Sequence, residues 1–188
     1  MGRVPGVAVQ RLGPRHSPEI LRHLLRLPAE DRRLRFGRAI QDAAIAAYVA
    51  SLDFDRDRVF GILDADLELA GVAHLALDTP ADLAELGLSV DPACRGCGYG
   101  FALLQRSVLH AANLGFHRLF MVCLAENGIM MHLARKAGLR VVVSSGEADA
   151  RLQLDRRAHG GALQEAAAEQ MALVDRLLKQ QFLWLHAA

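Results

Sequence analysis

Apolar residues recur along the chain at two spacings, and these spacings divide it into alternating strands and helices. Residues 7–12 predict a first strand, and apolar side chains every three or four positions from Ser17 to Leu27 predict an amphipathic helix. We expect Ser17 to cap this helix, and Pro18 suits its first turn. The chain therefore begins with a strand followed by a helix.

The two segments that follow differ in polarity. Residues 28–37 are polar and rich in arginine, which predicts a solvent-exposed loop, whereas the Ala-rich stretch 38–51 predicts a second helix. The apolar positions of this helix, which we expect to face the core, are Ile40, Ala43, Ala44, Ala47 and Tyr48. Tyr48 is therefore interpreted as a core side chain rather than a catalytic one.

The middle of the chain alternates short apolar runs with helical patterns. Strands are predicted at 58–64, 69–77, 81–90, 117–123 and 139–144, with 148–154 as a candidate seventh, and helices are predicted at 98–113 and up to residue 137. Gly115 and Gly138 follow these helices as C-caps. The run 117–123 is apolar at successive positions, which is typical of a strand covered on both faces. His74 is alone in an apolar strand, a setting more typical of a core residue than of an active-site residue.

The last part of the chain predicts a long amphipathic helix at 161–186. Its apolar positions recur at steps of three and four, at Leu163, Ala167, Met171, Val174, Leu178, Phe182 and Leu185. Two interpretations stay open: the stripe packs on its own domain, or it contacts a second copy in a homodimer. We therefore divide the chain into a domain at 1–160 and a helical extension at 161–188.

Composition indicates one soluble domain. The chain has 188 residues, of which 52% are hydrophobic, so it can bury a substantial core. The net charge of +1 gives no reason to expect nucleic acid as a partner. Apolar runs are too short for a membrane span, and the N-terminus lacks the core of a signal peptide, so we expect a cytoplasmic protein with no membrane partner. Three cysteines at Cys94, Cys97 and Cys123 indicate neither a disulfide framework nor a metal site.

Glycines are interleaved in the loop that joins the strand 81–90 to the following helix. Gly96, Gly98 and Gly100 leave little side-chain bulk, so consecutive backbone N–H groups can face one anion, and the helix N-terminus adds further free N–H groups. The loop is not a P-loop, because no Lys and Ser or Thr follow the last glycine. The glycine spacing also differs from that of a dinucleotide-binding fingerprint. A pyrophosphate cradle and a purely structural turn both remain open.

The motif Arg95-x-x-Gly98-x-Gly100 resembles the acyl-CoA signature R/Q-x-x-G-x-G/A of the GNAT superfamily of N-acetyltransferases. A second segment from Asn127 to Leu139, with Lys136-Ala-Gly138, is similar to the family's Asn, helix and Lys-x-Gly pattern. The two segments keep the family's order and separation. The matching region is about 58–143.

The resemblance implies an α/β fold: a mixed sheet of six or seven strands with helices on both faces, extended here by the C-terminal helix. It further implies that the fourth and fifth strands run parallel and splay apart to admit acetyl-CoA as co-substrate, with no metal. The implied cofactor-binding residues are Leu88, Ser89, Val90, Arg95, Gly96, Cys97, Gly98, Tyr99, Gly100 and Asn127.

The activity that the resemblance implies is transfer of an acetyl group from acetyl-CoA to a primary amine of a small molecule or peptide, by direct attack. A non-catalytic acyl-CoA-binding sensor or interaction domain is the alternative. In the family, the segment that contains Arg32, Arg33 and Arg35 commonly borders the acceptor pocket, which leaves an anionic acceptor open.

The chain departs from the family pattern seven residues after Asn127. Many members carry a Tyr there as general acid, and this chain has Ala134. The acceptor amine still needs a base, because an alkylamine is protonated at neutral pH. Glu85 lies on the fourth strand near where the family often places a carboxylate, and His132 is the second candidate.

Overall fold

The computed structural model describes residues 6–155, 159 and 161–186. The strands are β1 Gln10–Leu12, β2 Arg58–Leu63, β3 Leu69–Asp78, β4 Leu83–Val90, β5 Arg118–Leu124, β6 Arg140–Ser144 and β7 Glu147–Gln153. The helices are α1 Ser17–Arg26, α2 Ala29–Phe36, α3 Asp42–Ala50, α4 Tyr99–Asn113, α5 Gly128–Lys136 and α6 Ala162–His186. Short 3₁₀ turns lie at Pro14–His16 and Pro92–Cys94.

The strands form one seven-stranded mixed sheet in the order β1-β2-β3-β4-β5-β7-β6. All neighbouring strands are antiparallel except β4 and β5, which are parallel. One buried cluster joins α4 and α5 to one face of the sheet, and a second joins α1 and α3 to the other. The predicted fold class, with helices on both faces and a C-terminal helix, is confirmed.

The sheet opens between its two parallel strands. Residues Leu83–Glu85 of β4 pair with Arg118–Phe120 of β5, but the two strands then run on to Val90 and Leu124 without pairing to each other. On its other side, β4 stays paired with β3 along its whole length. The predicted splay is therefore confirmed, and it leaves one backbone edge of residues 86–90 without a strand partner.

The arginine-rich segment predicted as a loop is the helix α2, so that prediction is wrong. Its first turn carries Glu30 and Asp31 and its last turn Arg33 and Arg35, an arrangement that suits the helix dipole, and Gly37 ends it at φ 74°. None of its residues is fully buried, which explains why its polarity resembled that of a loop. The helix contacts both β4 and β5 and so lies across the opening between them.

Three further local predictions differ from the structure. His16 rather than Ser17 occupies the N-cap position of α1, and the Ser17 hydroxyl donates to the Pro14 carbonyl. The second predicted helix is shorter, at Asp42–Ala50, and it buries Ile45 and Val49 instead of the predicted stripe. Strand β5 is not covered on both faces, because Val122 is 44% exposed.

Helix α6 packs on the domain through polar residues rather than through its apolar stripe. Glu165 accepts hydrogen bonds from Arg106 (2.7 Å) and Asn113 and contacts His110, while Lys179 donates to the Leu63 carbonyl (2.8 Å). The stripe is exposed from Leu163 to Leu185, and Ala172 is the buried residue of the helix. The helix thus packs on its own domain through another face, and contact of the exposed stripe with a second copy stays a prediction. No helix among the described residues combines the length and apolarity needed to cross a bilayer.

The carboxylate of Glu165 makes the attachment of α6 dependent on pH. Burial acts to raise its pKa, but hydrogen bonds from Asn113, His110 and Arg106 outweigh burial and lower the pKa to about 2. Because the folded pKa lies below the unfolded value, this stabilisation is present above about pH 4.5 and is lost as the pH falls towards 2. We expect Glu165→Gln to cost about 1–2 kcal/mol at pH 6, allowing for solvent screening, and much less at pH 3.

Urea unfolding of both proteins at the two pH values measures this difference. Glu169→Gln is the matched control, since its carboxylate also meets Arg106 (3.0 Å) but is half exposed, so a smaller and flatter difference is expected. An equal cost of Glu165→Gln at pH 6 and pH 3 would contradict the assignment.

Candidate active site

The loop after β4 is held in shape by its own backbone and by one carboxylate. The Asp91 side chain accepts from the Ala93 N–H (3.0 Å), and the Cys94 N–H donates to the Asp91 carbonyl (2.9 Å). Gly96 and Gly98 then adopt φ values of 78° and 81°, a region that side chains disfavour. The chain turns there into α4, with Gly98 as its N-cap.

A row of backbone donors follows from this geometry. The Ala102 N–H donates to the Gly98 carbonyl (3.0 Å), which starts the hydrogen-bond ladder of α4. Within the described part of the chain, no acceptor meets the N–H groups of residues 96–101. The helix dipole adds positive potential at the same place. The loop therefore has the properties of an anion-binding site. This favours a pyrophosphate cradle over a purely structural turn.

The two other predicted binding side chains on this edge already have protein partners. Arg95 forms an ion pair with Asp31 of α2 (2.5 Å), which partly neutralises its charge. The amide oxygen of Asn127 accepts from the Met130 N–H (3.1 Å) and caps α5. Asn127 follows β5 as the glycine loop follows β4, so both lie at the carboxyl ends of the parallel strands.

The predicted residues Leu88, Ser89 and Val90 lie on the part of β4 that faces the opening. Their backbone pairs with β3 on one side and has no strand partner on the other. The Ser89 hydroxyl bonds His23 Nε2 (2.9 Å), and His23 Nδ1 donates to the Leu69 carbonyl (2.8 Å). Burial lowers the pKa of His23 to about 4, so its ring is neutral at pH 7. The Ser89 side chain thus has a structural partner, so only the backbone of Ser89 is available to a ligand in the opening.

A chain of four polar side chains crosses the face of the sheet beside the opening. Arg35 donates from Nη2 to the Tyr48 hydroxyl (3.1 Å), and this hydroxyl lies 2.8 Å from His74 Nδ1. His74 Nε2 lies 3.1 Å from Asp57 Oδ2. A carboxylate oxygen can only accept, so Nε2 carries the proton, and Nδ1 accepts the proton of the Tyr48 hydroxyl. The direction of every hydrogen bond in the chain is thereby fixed.

The protonation states of His74 and Asp57 suit a group that accepts a proton. Burial is the main cause that lowers the pKa of His74, and the nearby charge of Arg35 lowers it further against the opposing effect of Asp57. Burial acts to raise the pKa of Asp57, but hydrogen bonds from Arg56, His74 and the Leu77 amide leave it below its usual value. At neutral pH the histidine is therefore neutral and the aspartate ionised, as in a base that a carboxylate orients.

Glu85 lies on the same face of the sheet as this chain. It pairs with Ala76, two positions along from the pair of His74 with Gly87, and side chains two positions apart share a face. Glu85 is exposed and lines a cleft of about 520 Å³ together with Asp57 and Phe120. The structure therefore brings Glu85 to the rim of the region that contains His74.

The structure does not bring His132 to that cleft. His132 is exposed on α5, has no hydrogen-bond partner among the described residues, and does not line the cleft of Glu85. Ala134, which takes the place of the family's Tyr, is fully buried in the apolar cluster of α4 and α5. A tyrosine at position 134 would have to displace core side chains.

Arg35, Tyr48 and Asp57 were not among the predicted site residues. The polar chain joins α2, α3, the loop before β2 and β3, and no local motif links these segments. The available signals were His74, a histidine in an apolar strand, and the arginine-rich segment that contains Arg35. Cys94, Cys97 and Cys123 are all free thiols, and the described residues contain no cluster of three or more potential metal ligands.

Solved structures of other proteins have a similar fold. The GNAT domain of S. lividans PAT is 18% identical, with a TM-score of 0.67 over 78% of this chain and 89% of that one. A phosphinothricin acetyltransferase from Sinorhizobium meliloti in complex with AcCoA is 18% identical, with a TM-score of 0.64 over 80% and 90%. RimL, a ribosomal L7/L12 alpha-N-protein acetyltransferase in complex with coenzyme A, is 16% identical, with a TM-score of 0.63 over 81% and 97%.

These similarities between structures establish the fold, and a sequence match establishes the family. The sequence model of the acetyltransferase (GNAT) family matches residues 21–139, from within α1 to the residue before β6. This range includes the glycine loop, the opening in the sheet and the polar chain. The chain belongs to the acetyltransferase (GNAT) family.

Proposed function

We propose that this protein transfers an acetyl group from acetyl-CoA to a primary amine by direct attack of the amine on the thioester. Membership of the GNAT family supports acyl transfer in general. The observation that carries the proposal is the row of N–H groups at residues 96–101, which have no acceptor within the described protein and lie beside the opening in the sheet. Two proteins of similar fold were solved with AcCoA and with coenzyme A, which supports the same choice of co-substrate.

The residues present suit acetyl-CoA. The pyrophosphate would rest on the amides of Gly96, Cys97, Gly98, Tyr99 and Gly100, with Arg95 as a nearby cation. Backbone groups of Leu88, Ser89 and Val90 would pair with the pantetheine arm as an added strand does. Asn127 would border the cofactor from the side of β5. The bound cofactor supplies a thioester, whose carbonyl carbon is the electrophile.

The proton of the amine has a path through the polar chain. As the amine nitrogen forms its bond to the acyl carbon and the C–S bond breaks, the amine proton passes to the Tyr48 oxygen and the Tyr48 proton passes to His74 Nδ1. Asp57 stabilises the imidazolium that results. Glu85 is the second proton acceptor, acting through water at the rim of the cleft.

The leaving thiolate needs no acid from position 134. A thiol has a pKa of about 8.5, so thiolate is a tolerable leaving group and can take its proton from solvent. Cys94 and Cys123 are disfavoured as nucleophiles, because burial raises the pKa of their thiols and reduces their thiolate fraction. These points support direct attack over an acyl-enzyme.

A screen of primary amines for thiol release from acetyl-CoA tests the activity. We expect thiol release to depend on the presence of the amine, and the amount of thiol released to equal the amount of acetylated amine formed. Glu85→Gln should lower kcat about threefold to tenfold with unchanged acetyl-CoA affinity, because the second proton acceptor is lost while the cradle is intact. Glu147→Gln is the control, since Glu147 is an exposed strand glutamate on β7. Full kcat in Glu85→Gln would return Glu85 to the role of a surface residue.

A second candidate function is binding of acyl-CoA without catalysis, as in a sensor domain. The observation that favours it is Ala134, which removes the family's usual general acid. Acetyl-CoA binding with no thiol release for any amine would support this candidate, whereas amine-dependent release excludes it.

A further inference from the structure

We propose that the acceptor amine carries a carboxylate and that Arg35 binds it, so that the enzyme acts on amino acids or molecules that share their ammonium and carboxylate groups. This inference rests on the proposed acetyltransferase activity and names its substrate class. Four arginines lie on α2 or pair with it: Arg32, Arg33, Arg35 and Arg95.

Three of these arginines are neutralised by carboxylates, and Arg35 is not. Arg32 pairs with Asp42 (2.5 Å), Arg33 with Glu30 (2.8 Å) and Glu126 (2.5 Å), and Arg95 with Asp31 (2.5 Å). Within the described part of the chain, no carboxylate oxygen lies within 4.0 Å of the Arg35 guanidinium. A half-buried cation without a counterion is costly, and an anionic ligand would remove that cost.

Arg35 is held in place by neutral contacts that leave most of its donors free. Its guanidinium carbon lies 5.0 Å from the centre of the Phe36 ring and 5.7 Å from that of Tyr48. Nη2 donates to the Tyr48 hydroxyl at 3.1 Å, the hydrogen bond that the structure records for this side chain. A guanidinium has five N–H donors in a planar fork that matches a carboxylate. The aromatic contacts therefore orient a fork whose remaining N–H groups suit a planar anion.

The guanidinium lies directly over Gly87, at the point where β4 leaves β5. A Cβ atom on Gly87 would lie 2.6 Å from the guanidinium carbon, so only glycine permits this approach. Gly87 is two residues beyond Glu85, the last residue of β4 that pairs with β5. The cation is thus placed beside the opening that would admit the thioester.

The charges on this face match a zwitterion. Arg35 offers a positive charge at Gly87, while Glu85 and the Asp57–His74 pair offer a carboxylate and a neutral base on the same face. Glu85 and Gly87 are two strand positions apart, about 7 Å, so both charges lie within reach of one small acceptor. A carboxylate held by Arg35 would leave the amine of the same molecule beside Tyr48 and the thioester.

The test compares acceptors that differ only in the carboxylate. Glycine, β-alanine, γ-aminobutyrate and the twenty standard L-amino acids are assayed against their carboxamides, by thiol release from acetyl-CoA with the full chain. We expect at least tenfold higher kcat/KM for the best acid than for its amide. In Arg35→Gln this ratio should fall to about one, and in Arg35→Lys it should be intermediate, because lysine keeps the charge without the fork. The ratio cancels any effect of the substitution on Tyr48 and His74, which both acceptors share.

Arg38→Gln is the matched control, since Arg38 is exposed just beyond α2, and it should keep the parent ratio. A ratio near one in the parent, or an unchanged ratio in Arg35→Gln, overturns the inference. Calorimetric titration with N-acetylglycine and N-acetylglycinamide reads the same site without turnover. Tighter binding of the acid that Arg35→Gln abolishes supports the inference, and equal affinities of acid and amide overturn it. Failure to bind acetyl-CoA overturns the proposed function instead.

Discussion

Replacing Gly98 by valine will weaken acetyl-CoA binding at least a hundredfold. Gly98 has φ 81° at the N-cap of α4, and a β-branched side chain there strains the turn and fills the space through which the phosphates approach the amides of residues 96–101. A hundredfold loss corresponds to about 2.7 kcal/mol, which is the scale of losing several charge-assisted hydrogen bonds. Calorimetric titration of acetyl-CoA into both proteins measures the loss.

The control must carry the same backbone strain at another place. Gly138 has φ 87° after α5 and a Cβ atom there would meet nothing within 4 Å, so Gly138→Val costs similar stability without touching the loop. We expect Gly138→Val to bind acetyl-CoA as the parent does. Acetyl-CoA should raise the melting temperatures of the parent and of Gly138→Val, but not that of Gly98→Val. Parent-like affinity in Gly98→Val would show that the loop is a structural turn.

The second large effect concerns His74. We expect His74→Gln to lower kcat by a hundredfold to a thousandfold while the affinity for acetyl-CoA stays unchanged, because glutamine can replace neither the proton acceptor nor its link to Asp57. Tyr48→Phe should give a loss of similar size, since it removes the hydroxyl that joins the amine to His74 Nδ1. Steady-state kinetics with saturating acetyl-CoA gives both values, and His117→Gln, at a histidine whose side chain is 68% exposed, is the control.

The pH profile distinguishes proton transfer from a structural role. His74 must be neutral to accept a proton, and burial lowers its pKa below 6.5, so the parent's kcat should stay high at neutral pH and fall only below about pH 6.5. In His74→Gln this acid limb should disappear. If the variant keeps the parent's acid limb, another group is the base, and Glu85 is then the first to test.

Features encoded by adjacent residues could be predicted from the sequence. The glycine loop takes its form from Asp91, Gly96 and Gly98, which lie within eight residues of one another, so its turn into α4 could be predicted from local rules. The strands 58–64 and 69–77 were predicted within one residue at each end, because two apolar runs joined by a short acidic turn define a hairpin.

Features that depend on distant residues could not be predicted. The polar chain joins Arg35 to Asp57 through Tyr48 and His74, the side chains of two other segments, and the packing of α2 and α3 on the sheet brings them together. The packing of α6 also depends on distant residues. The spacing of its apolar residues predicted a helix correctly, but the spacing does not say which face meets the domain, and Glu165 and Lys179 attach a different face.

The most direct test of the account is to follow the acetyl group itself. The full chain is mixed with acetyl-CoA labelled with ¹⁴C in the acetyl group and with the best acceptor from the amine screen, and the reaction is quenched at times from one turnover onward. Direct transfer predicts that label appears in the amine as free thiol appears, with none bound to the protein at any time. Label on the protein that then passes to the amine would contradict direct attack, and label that stays in acetyl-CoA would contradict the activity.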